Sequence, residues 1–257
     1  PSSVDREIDK AIFQSFFASS YNPLNIEILD SNYVNRGITL EWTPTEHDEW
    51  IGYRCDTAMR IIQDSILYLD LWYMNNKEVK RALRKYRYVK AIILDGRKGH
   101  IGGVSLPLTL RLPNKNKSPF AVYYIADPKF PGAFTKKTYR TNMLGLRLFH
   151  RKYKGKVIFL TSVHNQSSDE FQLMQLKSDF NVTLIGEPTS GTDGVASSFL
   201  IEPTALTYIT TDAVTYPDGR TFQRSGLLPD IQVSPTIHGI RNWQDEILMR
   251  AIQFANT

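Results

Sequence analysis

Three times in this chain a short run of large apolar residues empties directly into a polar loop bearing glycine or serine. Ile92-Ile93-Leu94 runs into Asp95-Gly96-Arg97, Val157 to Leu160 into Thr161-Ser162, and Leu184-Ile185 into Gly186-Glu187. Runs this short and this apolar suit strands covered on both faces, the condition of a parallel sheet with helices on either side. Helix-period segments separate them, Asn76 to Tyr86 and about Ser168 to Lys177, and Trp243 to Phe254 closes the chain as an amphipathic helix. Further strands fit Ile66 to Leu71, Phe120 to Ile125 and a late β stretch around Phe199 to Thr211. The alternation predicts an α/β core.

Ahead of this core the pattern is different. Ile8, Ile12, Phe16 and Phe17 share one helical stripe over residues 5 to 19, and short strands fit Ile26 to Ile28 and Gly37 to Trp42. The polar stretch Thr43 to Trp50, with Pro44 and the run Glu46-His47-Asp48-Glu49, is the expected boundary, giving an N-terminal appendage over 1–48 and a core domain over 49–257. A length of 257 residues and 42% hydrophobic content are enough for one large core. No apolar run approaches the ~20 residues of a membrane-spanning helix. The first residues carry no signal-peptide pattern, and a start at Pro1 leaves export open. Cys55 is the only cysteine, which excludes an internal disulfide and a multi-Cys zinc site, and no cofactor or metal motif is expected.

The charge excludes less. Lys plus Arg number 31 against 26 Asp plus Glu, a net +5. The densest basic segment is the helix with Lys77, Lys80, Arg81, Arg84 and Lys85. It reads as the solvent face of a helix seated through Val79 and Leu83, and no nucleic-acid partner is expected.

Chemistry in α/β folds sits where strands end, so the three loops are the places to look. The first, Asp95 to Gly103, holds four glycines and ends in Gly102-Gly103, a pair that lets backbone N–H groups face an oxyanion. It lacks the spacing of nucleotide-binding glycine loops. The second places Ser167 at a helix start, where free N–H groups and the helix dipole favour developing negative charge. Its Ser-x-x-Glu pattern with Glu170 also fits a capping box. The third, Gly186 to Gly194, is a second glycine-rich turn. In order, the three make a nucleophile-and-oxyanion arrangement.

Several ordered motifs carry a family resemblance from Ile66 to the end. They are Asp95-Gly96-Arg97 through Gly102-Gly103, Thr161 through Ser167-Ser168-Asp169-Glu170, and Ile185-Gly186-Glu187-Pro188-Thr189-Ser190-Gly191. They continue with Gly226-Leu227-Leu228-Pro229-Asp230 and a closing helix with Asp245, Leu248 and Ala251. The sequence resembles the C-terminal processing (tail-specific) serine peptidases and the related tricorn protease core. The resemblance implies a curled α/β core of the ClpP and crotonase type, preceded by what looks like the tail of a PDZ-like domain in a longer polypeptide. It implies Ser167 as nucleophile, an oxyanion hole from the N–H groups of Gly102, Gly103 and Ser168, peptide or unfolded protein substrates, and an extracytoplasmic address.

The sequence departs from the family at the base. The position 25 residues after the serine, a Lys in the processing proteases, is Thr192 here. Where the tricorn branch has His and Glu, this chain has Asp70 and Gln223-Arg224. His100 and His164 are the histidines near the site by motif position and are the candidate bases, with Asp193 as a further one; His47, His150 and His238 have no motif around them. Two functions follow: a serine endopeptidase, or an impaired homologue that binds peptides without cutting. A crotonase-type acyl-thioester site is a third reading, by fold alone. Trp72-Tyr73, at the end of a core strand, suits either a peptide groove or the cap of the core, and core packing is the expectation.

Overall fold

The computed structural model describes residues 24–29, 32–40, 58–99, 101, 119–140, 153–202 and 205–257. The helix expected over 5 to 19, the boundary near 43 to 50, Cys55, His47 and His150 lie outside them. At the front, β1 (Leu24–Leu29) and β2 (Asn35–Leu40) form an antiparallel hairpin.

The core is a six-stranded sheet. It holds β3 (Met59–Ile62), β4 (Ile66–Asp70), β5 (Ala91–Asp95), β8 (Lys156–Thr161), β9 (Val182–Gly186) and β12 (Ile231–Gln232), in the order β12-β9-β8-β5-β4-β3. All neighbours are parallel except β3 and β4. Between β5 and β8 the chain makes the hairpin β6 (Pro119–Ala126) and β7 (Phe134–Arg140). These join β10 (Val195–Glu202) and β11 (Ala205–Thr215) in a second, antiparallel sheet of order β10-β11-β6-β7.

Period-2 alternation splits the core strands between two cores. Leu67, Leu69, Ile92, Leu94, Val157, Phe159, Val182 and Leu184 face one cluster, shared with α1 (Asn76–Lys85), α2 (Ser168–Asp179) and the second sheet. Ile66, Tyr68, Ala91, Ile93, Ile158, Leu160 and Ile185 face the other, covered by Ile247, Leu248, Ala251 and Ala255 of α4 (Glu246–Asn256). A short helix, α3 (Ile237–Arg241), precedes α4. Both faces being covered is why the strands carry no polar alternation.

The helices begin where their caps allow. Asn75 Oδ1 accepts from the N–H groups of Lys77 and Glu78, while Glu78 Oε2 accepts from Asn75 N–H, a closed capping box. Below it Val79, Ala82 and Leu83 are buried and the basic residues face solvent, as read from the sequence. The α4 helix starts later than the expected Trp243, at Glu246, because Asp245 caps it by accepting from Leu248 N–H. Trp243 itself is 90% exposed, with φ 55°. Trp72 and Tyr73 correct an expectation. They sit in a single 3-10 turn after β4, where only Leu71 turns inward, and are 37% and 38% exposed.

α4 is tied at both ends. Arg97 reaches Asp245 with two hydrogen bonds of 2.7 Å and also grips Asp95, whose carboxylate accepts from Tyr68 Oη at 2.7 Å. Burial alone would raise the Asp95 carboxyl, but the hydrogen bonds and charge of Arg97 hold it below the ordinary range. At the far end Lys156 Nζ donates to Phe254 C=O and Lys90 Nζ to Asn256 C=O, where the helix leaves carbonyls without partners. We predict that Arg97→Ala, which leaves the 7%-exposed Asp95 without its cation, lowers unfolding free energy by about 2–4 kcal/mol in urea titrations at pH 7.

Candidate active site

The C-terminal ends of β5, β8 and β9 lie side by side, so the three loops singled out in the sequence meet at one end of the sheet. Asn165, fully buried, stitches them together. Its side-chain amide donates to Gly96 C=O at 2.7 Å, its Oδ1 accepts from Ser162 N–H at 3.0 Å, and its C=O accepts from Ser190 N–H at 3.0 Å. Ser162 Oγ donates to Arg97 C=O at 2.5 Å. Asp169 Oδ1 accepts from Ile101 N–H at 3.2 Å, fixing the first loop just before Gly102.

Ser167 stands exposed between this turn and α2. Its backbone has φ 52° and ψ −114°, a region that residues with a Cβ rarely enter. The Ser-x-x-Glu motif takes the outline of a capping box. However, the Ser167 hydroxyl makes no capping hydrogen bond of its own, and the arm that closes is Glu170 Oε2 accepting from Ser167 N–H at 3.2 Å. The Ser167 side chain stands at the head of α2, where first-turn N–H groups favour negative charge. Ser168, exposed, is the first helical residue, and its N–H belongs to the first-turn donors that a helix cannot satisfy internally.

Strain at Ser167 needs a scaffold, and Glu170 supplies it. Its carboxylate has no exposed surface and accepts from Gly191 N–H at 2.7 Å, Thr192 N–H at 2.8 Å and Thr189 Oγ1 as well as from Ser167. Burial still pushes its pKa above the ordinary value against these donors. The third loop is itself held from behind. Thr189 Oγ1 accepts from Leu227 N–H at 2.7 Å, and Arg224 N–H donates to Gly191 C=O at 2.9 Å. Gly191 has φ 67°, and a Cβ there would lie 2.7 Å from Gly226 N, so glycine is required twice over.

Thr192, where the resemblance leads one to expect a base, does reach the serine. Thr192 Oγ1 accepts from Ser167 N–H at 3.2 Å and lies 2.8 Å from Ser190 Oγ. Gln223 is near too, its amide donating to Asp193 C=O at 2.9 Å. His164 is exposed on the same turn, its N–H donating to Ser162 Oγ at 3.1 Å. His100, Gly102 and Gly103 lie outside the described residues. His238 is on α3, its ring nitrogen 3.2 Å from the Asn242 amide. Asp70 forms a 3.0 Å ion pair with Lys98. Among the described residues no group of His, Cys, Asp and Glu could hold a metal ion.

Asn165, Asp169 and Thr189 escape the sequence reading, since each acts through a partner distant in the chain. For Asp193, a candidate base already in the sequence, the structure adds an environment. It is 3% exposed; Oδ1 accepts from Gly194 N–H, while the buried Oδ2 has no hydrogen-bond partner. Burial first, then the Glu170 charge, push its carboxyl up to about 7.

This arrangement, a parallel sheet whose strand ends present a serine at a helix start among glycine-bearing loops, defines a hydrolase-like site. The chain belongs to peptidase family S41, whose profile matches residues 65–233. Among solved structures it is similar to one from Parabacteroides merdae ATCC 43184, assigned as a candidate peptidase, with 19% identity and a TM-score of 0.63, covering 78% of this chain and 65% of that one. It is also similar to mature CPAF complexed with lactacystin, with 12% identity and a TM-score of 0.62, covering 91% of this chain and 68% of that one. At these identities the likeness shows the fold alone, and this chain spans just under two thirds of the first structure. No curated protein sequence matches. No helix among the described residues is long and apolar enough to cross a membrane.

The site carries its own pH signature. Asp193 holds its proton to about pH 7 when folded but ionises near 3.8 when unfolded. The folded state therefore binds more protons between those values. Its contribution to stability is full below about pH 4, falls as pH rises, and is lost above about pH 7. Asp193→Asn should melt above the parent chain at pH 8, with the difference shrinking towards zero near pH 4, as read by thermal unfolding across pH.

Proposed function

We propose that this chain is a serine endopeptidase acting on peptide or unfolded protein segments, with Ser167 as nucleophile. The observation that carries the reading is the backbone of Ser167 at φ 52° and ψ −114°, an unfavourable conformation held by a buried carboxylate at the head of α2. Ser167 Oγ would attack the scissile carbonyl carbon as a base takes its proton. The resulting oxyanion would be met by the N–H groups of Ser168 and of Gly102 and Gly103. Collapse then expels the amine, and water hydrolyses the acyl-enzyme. Thr192 has no basic nitrogen and cannot take the serine proton at neutral pH, so that role falls to His100, His164 or Asp193. Family resemblance supports an extracytoplasmic setting and an arrangement of an appendage over 1–48 with a catalytic core over 49–257.

A second reading is an impaired homologue that binds peptides without cutting them. Thr192 favours it, because its N–H and hydroxyl are engaged with Glu170 and Ser167. The two part on one measurement. A fluorophosphonate probe should label Ser167, as located by peptide mass spectrometry, and Ser167→Ala should abolish labelling and lower hydrolysis of an unfolded protein by about 10³-fold or more. A folded chain that takes no label belongs to the second reading.

A further inference from the structure

The β10–β11 hairpin stands away from the body that carries the site. β11 pairs with β6 through Ala213, Val214 and Thr215, and Asp212 Oδ1 accepts from Ala126 N–H, whereas the two hairpin strands pair with each other from Val195↔Asp212 to Glu202↔Ala205. Most of the hairpin is therefore a two-stranded ribbon. Leu200↔Leu206 and Ser198↔Tyr208 lie on one face, and Phe199↔Thr207 and Ser197↔Ile209 on the other. The large apolar residues on both faces are open to solvent: Phe199 48%, Leu200 62%, Leu206 54%, Tyr208 66% and Ile209 55%. A two-stranded ribbon is marginal in water and needs a further strand to be stable, and this much exposed apolar surface marks an interaction site.

The two ends of the sheet are treated differently. β7, at one end, carries Lys136, Lys137 and Arg140, the positive charges that keep an edge from pairing. β10, the other end among the described residues, reads Val-Ala-Ser-Ser-Phe-Leu-Ile-Glu, with no Lys and no Pro. Its one charge, Glu202, is at the end of the strand. Charge then selects the partner. Turned about a two-fold axis and laid antiparallel on itself with Val195 opposite Glu202, β10 sets its two Glu202 backbone positions at opposite ends, about 24 Å apart, well past the ~8 Å Debye length. At the middle the small Ser198 of each copy lies opposite Phe199 of the other, and the apolar faces become continuous. The same operation on β7 would set Lys137 against its own copy. A strand without charge along its length offers nothing to an acidic or basic partner, but it is complementary to itself, as a two-fold interface requires.

We propose that the β10–β11 hairpin is a homodimerisation arm, in which two copies pair antiparallel along β10 to give a four-stranded sheet of order β11-β10-β10-β11. The arm begins two residues after Asp193, so the second copy joins next to the loop that supports Ser167. The inference rests on edge geometry and charge, and stands or falls apart from the serine chemistry.

The test is sedimentation velocity on the full chain together with amide hydrogen exchange. Between about 1 and about 100 µM the chain should pass from monomer to dimer, and the amides of Val195–Glu202 should slow in step while those of β7 do not. Ser198→Lys with Phe199→Lys should weaken the dimer about 100-fold or more at unchanged circular dichroism, and Lys137→Ser should leave it intact. If the lysine pair prevents folding, exchange in the unaltered chain decides. A monomer throughout this range overturns the proposal. So does a dimer that leaves β10 exchange unchanged, and so does β10 protection produced by an added unfolded protein but not by the chain's own concentration.

Discussion

A single buried carboxylate ties the start of α2 to the loop after β9. Glu170 lies in the first turn of α2 with no surface of its own, and a carboxylate taken out of water must be surrounded by donors or give up its charge. The donors come from Ser167, Thr189, Gly191 and Thr192, so one group pins a helix start and a loop about twenty residues away. The balance is close, since burial keeps its pKa above the ordinary value even with this shell. Asp193 adds a second buried carboxyl beside it, and the two cannot both be charged without cost. The strained serine is thus one part of a polar cluster whose members depend on each other.

Much of the core was legible in the sequence, because β4, β5, β8 and β9 are apolar on both faces and nothing else accounts for such runs. β7, Phe-Thr-Lys-Lys-Thr-Tyr-Arg, was not legible, because it lies on an exposed sheet end and carries the charges of a surface. β3 escaped for the same reason, with Arg60 in its middle and one antiparallel neighbour. Trp72 and Tyr73 were misread, since a 3-10 turn after β4 rotates consecutive residues away from the strand's alternation. At the site Ser167 and Glu170 were readable because their interaction is local, three residues apart. Asn165 was not, for its partner Gly96 lies 69 residues away and no periodicity records that bond.

Thr192 links the serine turn to the buried carboxylate. Its hydroxyl accepts from Ser167 N–H, and its own N–H feeds Glu170, so the position still serves the geometry of the turn. A lysine there would bring a proton-accepting nitrogen only at the cost of being desolvated next to two buried carboxyls, which would hold it charged. With threonine, Asp193 and Glu170 have no cation among their first contacts, and the raised pKa of Asp193 follows.

The two-ended attachment of α4 also orders events in time. Asp245 is 148 residues from Arg97, and the apolar face of β4, β5, β8 and β9 that takes Ile247, Leu248, Ala251 and Ala255 is made long before them. While the chain is being synthesised, that face is open and the Arg97–Asp95 pair lacks its third member. The six-stranded sheet can therefore be assembled on one side only until this helix emerges. Completion of the fold, and with it the firm seating of Arg97 in the loop that leads towards Gly102, waits on residues 245 to 256.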